Sequence, residues 1–198
     1  MTALHLPTAY FIAGILYVIM PIFVWVILRD QRERINTLWY LGGLSFGLSL
    51  ILLSMRGTVT DVLTHSVALW LLVLGSLLRV SALRSALRKP IQLAWILGLS
   101  CVFFVAYILF DVVLDNAKLR FIWSNFCAAA VLGWLAFLAH QIDSRHRSIS
   151  ARWIFVFYLA LSVLLALRVP SVMLGAAQPD AMSADPLSLI VVVWAVVT

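Results

Sequence analysis

A small set of polar residues stands out in a chain that is otherwise apolar: Arg56, Asp61, His65, Asp111, Asp115, Asn116, Lys118, Arg120, Asn125 and Arg168. Asp61 and His65 are four residues apart, as are Asp111 and Asp115, a spacing that puts two side chains on one face of a helix. Arg168 falls about a turn inside an apolar run, where a charge without a partner is costly. Two chemistries fit. Arg56, Arg120 and Arg168, with Asp61 and His65 beside them, could form a pocket for an anionic or amphiphilic ligand, because the planar guanidinium fork takes a carboxylate through two bonds. Alternatively the arginines snorkel or pair with Asp61, Asp111 or Asp115 and hold helices together. Imidazole and carboxylate also suit zinc or copper. The spacing of His5, Asp61, His65, Asp111 and Asp115 matches no ligand motif, however, so no metal is expected. No nucleophile, base and oxyanion set can be assembled, and there is no glycine-rich phosphate loop. The sequence therefore assigns this chain no catalytic residue and no cofactor.

The elements that must position these residues are membrane helices. Hydrophobic residues make up 64% of the 198 and charged residues 11%, and the mean hydropathy is +1.08. A soluble domain of this length has too little interior for that much apolar surface, whereas a bilayer removes the limit. Seven apolar runs can be marked: about Tyr10–Leu28, Leu38–Met55, Val62 onward to Pro90, Ile91–Phe110, Phe121–Ala139, Trp153–Val172, and Leu187 to Thr198. The expected fold is all-α, a single polytopic bundle over residues 1–198 with about seven transmembrane helices. The seventh run has 12 residues, too few for a hydrocarbon core of about 30 Å at 1.5 Å per residue. It reads as a helix cut short in a fragment of a longer chain. Met1 to Leu6 lacks the positive charge of a signal peptide, so the first run is expected to be retained.

The net charge of +6 does not point to nucleic acid, because the basic residues sit at the ends of apolar runs and act as topology determinants. One side of the bundle collects Arg29, Arg32, Arg34, Arg79, Arg84, Arg88, Lys89, Arg145, Arg147 and Arg152. The other collects Arg56, Lys118, Arg120 and Arg168. The ten-residue side is expected in the cytoplasm and the N-terminus outside. The third run, from Val62 to Lys89, is about 42 Å long if helical throughout. Its inner end is expected to project into the cytoplasm, with Arg79, Arg84 and Arg88 near anionic headgroups.

Several residues read as structural. Tyr10, Trp25, Trp39, Trp123 and Trp153 lie near run ends, as aromatic belts do. Pro21 should kink the first helix. Gly42, Gly43, Gly47, Ser45 and Ser49 make a small-residue face that permits close helix approach. Cys101 and Cys127 fall inside apolar runs and read as packing residues. His140 ends the fifth run, where a partial positive charge would complement the helix dipole.

The segments Trp39-Tyr40-Leu41-Gly42-Gly43-Leu44-Ser45-Phe46-Gly47, Leu52-Leu53-Ser54-Met55-Arg56-Gly57 and Asp61-Val62-Leu63 resemble the N-terminal multi-helix membrane region of bacterial diguanylate cyclases with a GGDEF output domain. Gly14-Ile15-Leu16-Tyr17 with Pro21 and Trp25, and the basic close Leu83-Arg84-Ser85-Ala86-Leu87-Arg88-Lys89-Pro90, are similar to the same group. The resemblance is best over about residues 10 to 90. It implies a bacterial inner-membrane sensor whose separate output domain condenses two GTP into cyclic di-GMP with magnesium, and it implies a homodimer, since two output domains must face each other. No GGDEF sequence occurs here, so no catalytic residue carries over. Related membrane regions precede histidine kinases, and that input role stays open. So does a small transporter or channel, although every Asp and Glu lies in a loop or near a run end, where such proteins usually place acids at mid-depth.

Overall fold

The computed structural model describes residues 6–27, 33–90 and 93–175. Those residues form six helices and no strand beyond an isolated bridge between Arg56 and Val59. They are α1 (Leu6–Ile27), α2 (Arg34–Ser54), α3 (Ala68–Ala86), α4 (Leu93–Ile108), α5 (Ala117–His146) and α6 (Ile149–Met173). A π-helical segment, Val62–Val67, leads into α3, and another, Leu109–Val113, continues α4. With these segments counted, all six helices are long and apolar enough to cross a bilayer, which is the architecture of a multi-pass membrane protein. The expected seventh helix, from Leu187, lies outside the described residues. The chain divides into two compact units, Met1–Ser100 and Cys101–Thr198, with the boundary inside α4.

The outer faces of the helices are apolar. Phe23, Trp95, Val105 and Phe126 are each more than 60% exposed. Contiguous surfaces of this kind are rare in water but ordinary against hydrocarbon tails. Burial is uneven. In the most apolar stretch of α3, 61% is buried, against 11% in α1. The π-preceded third helix is therefore the core of the first unit, and α1 lies on its periphery.

Glycine sets the spacing in that unit. A Cβ built on Gly14 of α1 would stand 2.9 Å from the Gly47 carbonyl oxygen of α2, and one on Gly47 would stand 2.9 Å from that of Gly14. Between α2 and α3, Gly42 and Gly75 repeat the reciprocal contact at 2.7 Å. Backbone thus touches backbone at both interfaces, the packing that small residues permit in membranes, where dispersion contacts rather than water release drive association. Above these contacts, Ala13, Phe46, Leu50, Leu53 and Ala68 close into an apolar cluster flanked by Tyr10, Tyr17, Leu52 and Leu72. α1 runs unbroken through Pro21, whose ring lies over Gly43.

The helix ends obey local rules. Arg88 takes the left-handed conformation (φ 55°) after α3. The Arg88 N–H then donates to the Ser85 carbonyl and the Lys89 N–H to the Arg84 carbonyl, both at 2.9 Å. This is the Schellman arrangement, with Pro90 following as a stop. The helix thus ends at Ala86, short of the Lys89 expected from the apolar run. In the second unit, Asn116 caps α5 by accepting from the Leu119 N–H at 3.0 Å. Arg147, also left-handed at φ 49°, ends that helix. Ser148 caps α6, and the Arg152 guanidinium meets Asp143 across the corner at 3.2 Å. α5 is longer than its apolar run, because its last turns are polar but still helical. His140 therefore sits within the helix and not at its end, its ring 5.1 Å from that of Phe155 on α6. The Ser162 hydroxyl donates to the Ala129 carbonyl at 2.8 Å and ties α6 to α5.

Candidate functional site

Two arginines inside spanning helices dominate the polar chemistry of the described residues. Arg79 is 7% exposed and Arg168 is 6% exposed. A charge in such surroundings is costly unless compensated, so what surrounds each guanidinium indicates what it does.

Arg79 projects from α3 over the Gly42–Gly43 step of α2. Its Cγ would be 2.8 Å from a Cβ on Gly42, and its terminal nitrogen 3.6 Å from one on Gly43. Only a side-chain-free notch lets it pass. Beyond the notch the guanidinium carbon lies 5.4 Å from the ring centroid of Tyr17 on α1, and 5.5 and 5.3 Å from those of Trp39 and Phe46 on α2. Tyr17 and Phe46 themselves pack at a tilt, with ring centroids 4.9 Å apart. Three ring quadrupoles facing one cation make an aromatic cage, and such contacts strengthen when desolvated. This corrects one sequence expectation and extends another. Arg79 does not project freely from the end of α3 but is buried among rings inside the first unit, and Trp39 covers a cation besides lying near a run end. The cage draws on three helices far apart in sequence. The available signal was that Arg79 lies within the apolar run, ahead of the basic cluster formed by Arg84, Arg88 and Lys89.

Arg168 belongs to the second unit. Its guanidinium carbon is 4.9 Å from the Phe121 ring at the start of α5, and Phe121 is itself buried. The neighbouring Arg120 pairs with Asp111, which the π segment after α4 presents. Both partners are partly buried, at 24% and 16% side-chain exposure. Arg120 thus takes the intramolecular partner that was the simpler of the two sequence readings. Phe110 and Trp123 meet edge to face at 6.1 Å beside this pair, and the Trp123 indole N–H donates to the Phe103 carbonyl.

Of the remaining ligand candidates, Arg56, Asp61 and His65 fall in the first unit, and Arg120 and Arg168 in the second. Arg56 follows α2, in the turn where Gly57 is left-handed (φ 84°). Asp61 is exposed at the head of the π segment, and His65 is half-buried within it. The segment expected to begin as α-helix is thus π, a form that in single turns often marks functional positions. Among the described residues, no group of three or more His, Cys, Asp or Glu side chains could hold a metal ion. His5 lies outside the described residues. Cys101 and Cys127 are free thiols, the first exposed and the second half-buried.

The chain matches no protein-family model, no curated protein and no solved structure.

Proposed function

We propose that this chain is the membrane-embedded input domain of a bacterial signalling protein, regulating a cytoplasmic diguanylate cyclase that makes cyclic di-GMP. One observation carries the reading. The residues that bear the resemblance to cyclase membrane regions, Gly14, Tyr17, Pro21, Trp39, Gly42, Gly43, Phe46 and Gly47, converge on one packed unit around Arg79. Their packing within α1, α2 and α3 supports reading them as one module. A device built from the first three helices is what a shared input module requires.

In this reading the protein lies in the cytoplasmic membrane with its N-terminus outside. Once the buried Arg79 and Arg168 are set aside, nine basic residues stand on one side against three on the other. The contrast is sharper than in the unadjusted count and favours the nine-residue side as cytoplasmic. The working form is a homodimer, because two output domains must meet to condense two GTP. The stimulus enters from the outer ends of the helices, where an anionic or amphiphilic ligand would meet Arg56, Asp61 and His65 within the first unit, or Arg168 and, if it exchanges its Asp111 partner, Arg120 within the second. A ligand that binds one arrangement of the helices better than another shifts their populations.

The test is the coding sequence beyond Thr198, together with the cyclic di-GMP level in cells expressing the natural full-length protein. A GGDEF domain and a raised level support the reading. A natural protein without such a domain, or one that leaves cyclic di-GMP unchanged, removes it.

A further inference from the structure

We propose that Arg79 is a latch holding α1 on the α2–α3 pair, and that phosphate-bearing anionic lipid at the basic end of α3 opens it. The proposal rests on the helices spanning a bilayer and not on the identity of any output domain.

Three observations support it. First, α1 is the least buried helix of its unit. It meets α2 at the Gly14–Gly47 approach, at Pro21 over Gly43 and in the apolar cluster around Ala13, and its Tyr17 meets Phe46 and Arg79. Arg79 adds a contact from a third helix, reaching past α2 to Tyr17. Second, the hold of Arg79 on α1 is the ring face of Tyr17. A cation–π contact is broad in angle and is weakened when the cation gains a stronger, solvated partner. Third, such a partner is near. Arg79 precedes the end of α3 at Ala86 by seven residues, or about 10 Å at 1.5 Å per residue, and an arginine side chain snorkels over much of that distance. At that end the Schellman turn gathers Arg84, exposed Arg88 and Lys89 into a few residues. Basic clusters at a helix end concentrate anionic lipid through the surface potential. A phosphate drawn there competes with the rings for the Arg79 guanidinium, with which it can form two parallel hydrogen bonds. When the guanidinium leaves, Tyr17 loses its cation and α1 is freed to shift.

The experiment uses the full natural chain with Cys101 and Cys127 replaced by Ala. Spin labels are attached at Met20→Cys on α1 and Leu41→Cys on α2, both lipid-facing positions. Distances are measured in vesicles of phosphatidylcholine alone and with about a third phosphatidylglycerol. The latch predicts one narrow distance in phosphatidylcholine and a second, changed distance that grows several-fold in population with phosphatidylglycerol. In Arg79→Gln the distribution should no longer respond to lipid charge. If Arg79→Gln fails to fold, Tyr17→Leu keeps the guanidinium but removes its ring on α1, and it should show the second distance already in phosphatidylcholine. Inorganic phosphate added to phosphatidylcholine vesicles at matched ionic strength should leave the distribution unchanged. A distribution indifferent to phosphatidylglycerol, or an Arg79→Gln response equal to that of the unsubstituted chain, overturns the latch. So does a Tyr17→Leu distribution identical to that of the unsubstituted chain in phosphatidylcholine. A full response to free phosphate overturns the lipid as its trigger.

Discussion

Gly42 and Gly75 meet so closely that a Cβ added to either would stand 2.7 Å from the other's carbonyl oxygen. The obstacle is backbone, which cannot swing aside as a side chain can, so the two helices would have to separate. Gly75→Ala should lower stability by about 1–3 kcal/mol, the usual cost of overpacking a filled interface. Gly98→Ala is the control, because nothing lies within 4 Å of the added atom. It should leave stability unchanged or raise it by up to about 1 kcal/mol, the helix-propensity gain of alanine over glycine. Thermal or denaturant unfolding of the purified protein in mild detergent checks both. An equal effect from the two substitutions would remove the argument that the α2–α3 contact is spaced by glycine.

This interface also shows what the sequence makes legible. Gly42, Gly43 and Gly47 mark a close-approach face by composition alone, since membrane helices have few other uses for clustered glycine. Their partners Gly14 and Gly75 could not be assigned, because apolar runs carry no code for which helix lies opposite. Arg79 was misplaced for a related reason. Its place within the apolar run, ahead of Arg84, Arg88 and Lys89, sets it apart in sequence, but only the assembled Tyr17, Trp39 and Phe46 rings show what surrounds it. The spans themselves were readable because hydrocarbon thickness fixes their length. The end of α5 was not, because a helix continues past the lipid edge when its polar turns are still hydrogen-bonded.

The Arg120–Asp111 pair joins the head of α5 to the π segment that continues α4. Because both groups are only partly exposed, the pair should be coupled by about 1 kcal/mol, at the upper end of what exposed ion pairs give. A double-mutant cycle with Asp111→Ala and Arg120→Ala measures this directly. Each single substitution should be more harmful than the double change would suggest by addition, since each leaves one charge without its partner. Strict additivity would mean that the contact carries no energy and would return Arg120 to the pool of ligand candidates.

Arg168 and Phe121 make the corresponding prediction deeper in the second unit, with the guanidinium carbon 4.9 Å from the ring centroid. Arg168→Met keeps length and apolar bulk but removes the cation, and Phe121→Leu removes the ring. Their coupling should be about 1–2 kcal/mol, the range for a desolvated cation–π contact. If Arg168 acts mainly as this structural contact, Arg168→Met and Phe121→Leu should impair folding alike and leave the response of the folded protein to an amphiphilic acid unchanged. A ligand response abolished in Arg168→Met but intact in an equally destabilised Phe121→Leu would assign Arg168 to the ligand.

Sidedness is the last expectation, and the helix caps determine how to test it. Asn116 and Ser148 sit at opposite ends of α5, but each caps a helix through its side chain, so cysteine there would cost about 1 kcal/mol of local stability. Lys118 and Ser150 are exposed neighbours of the same two ends and avoid that cost. With Cys101 and Cys127 replaced by Ala, a membrane-impermeant maleimide applied to intact cells should label Lys118→Cys and not Ser150→Cys. Opening the cells should expose Ser150→Cys. The expectation follows from the basic residues around Ser150, since Arg145, Arg147 and Arg152 would mark a cytoplasmic corner under the positive-inside rule. Labelling of Ser150→Cys in intact cells with protection of Lys118→Cys would invert the bundle, placing Arg84, Arg88 and Lys89 outside and the Arg120–Asp111 pair within the cell.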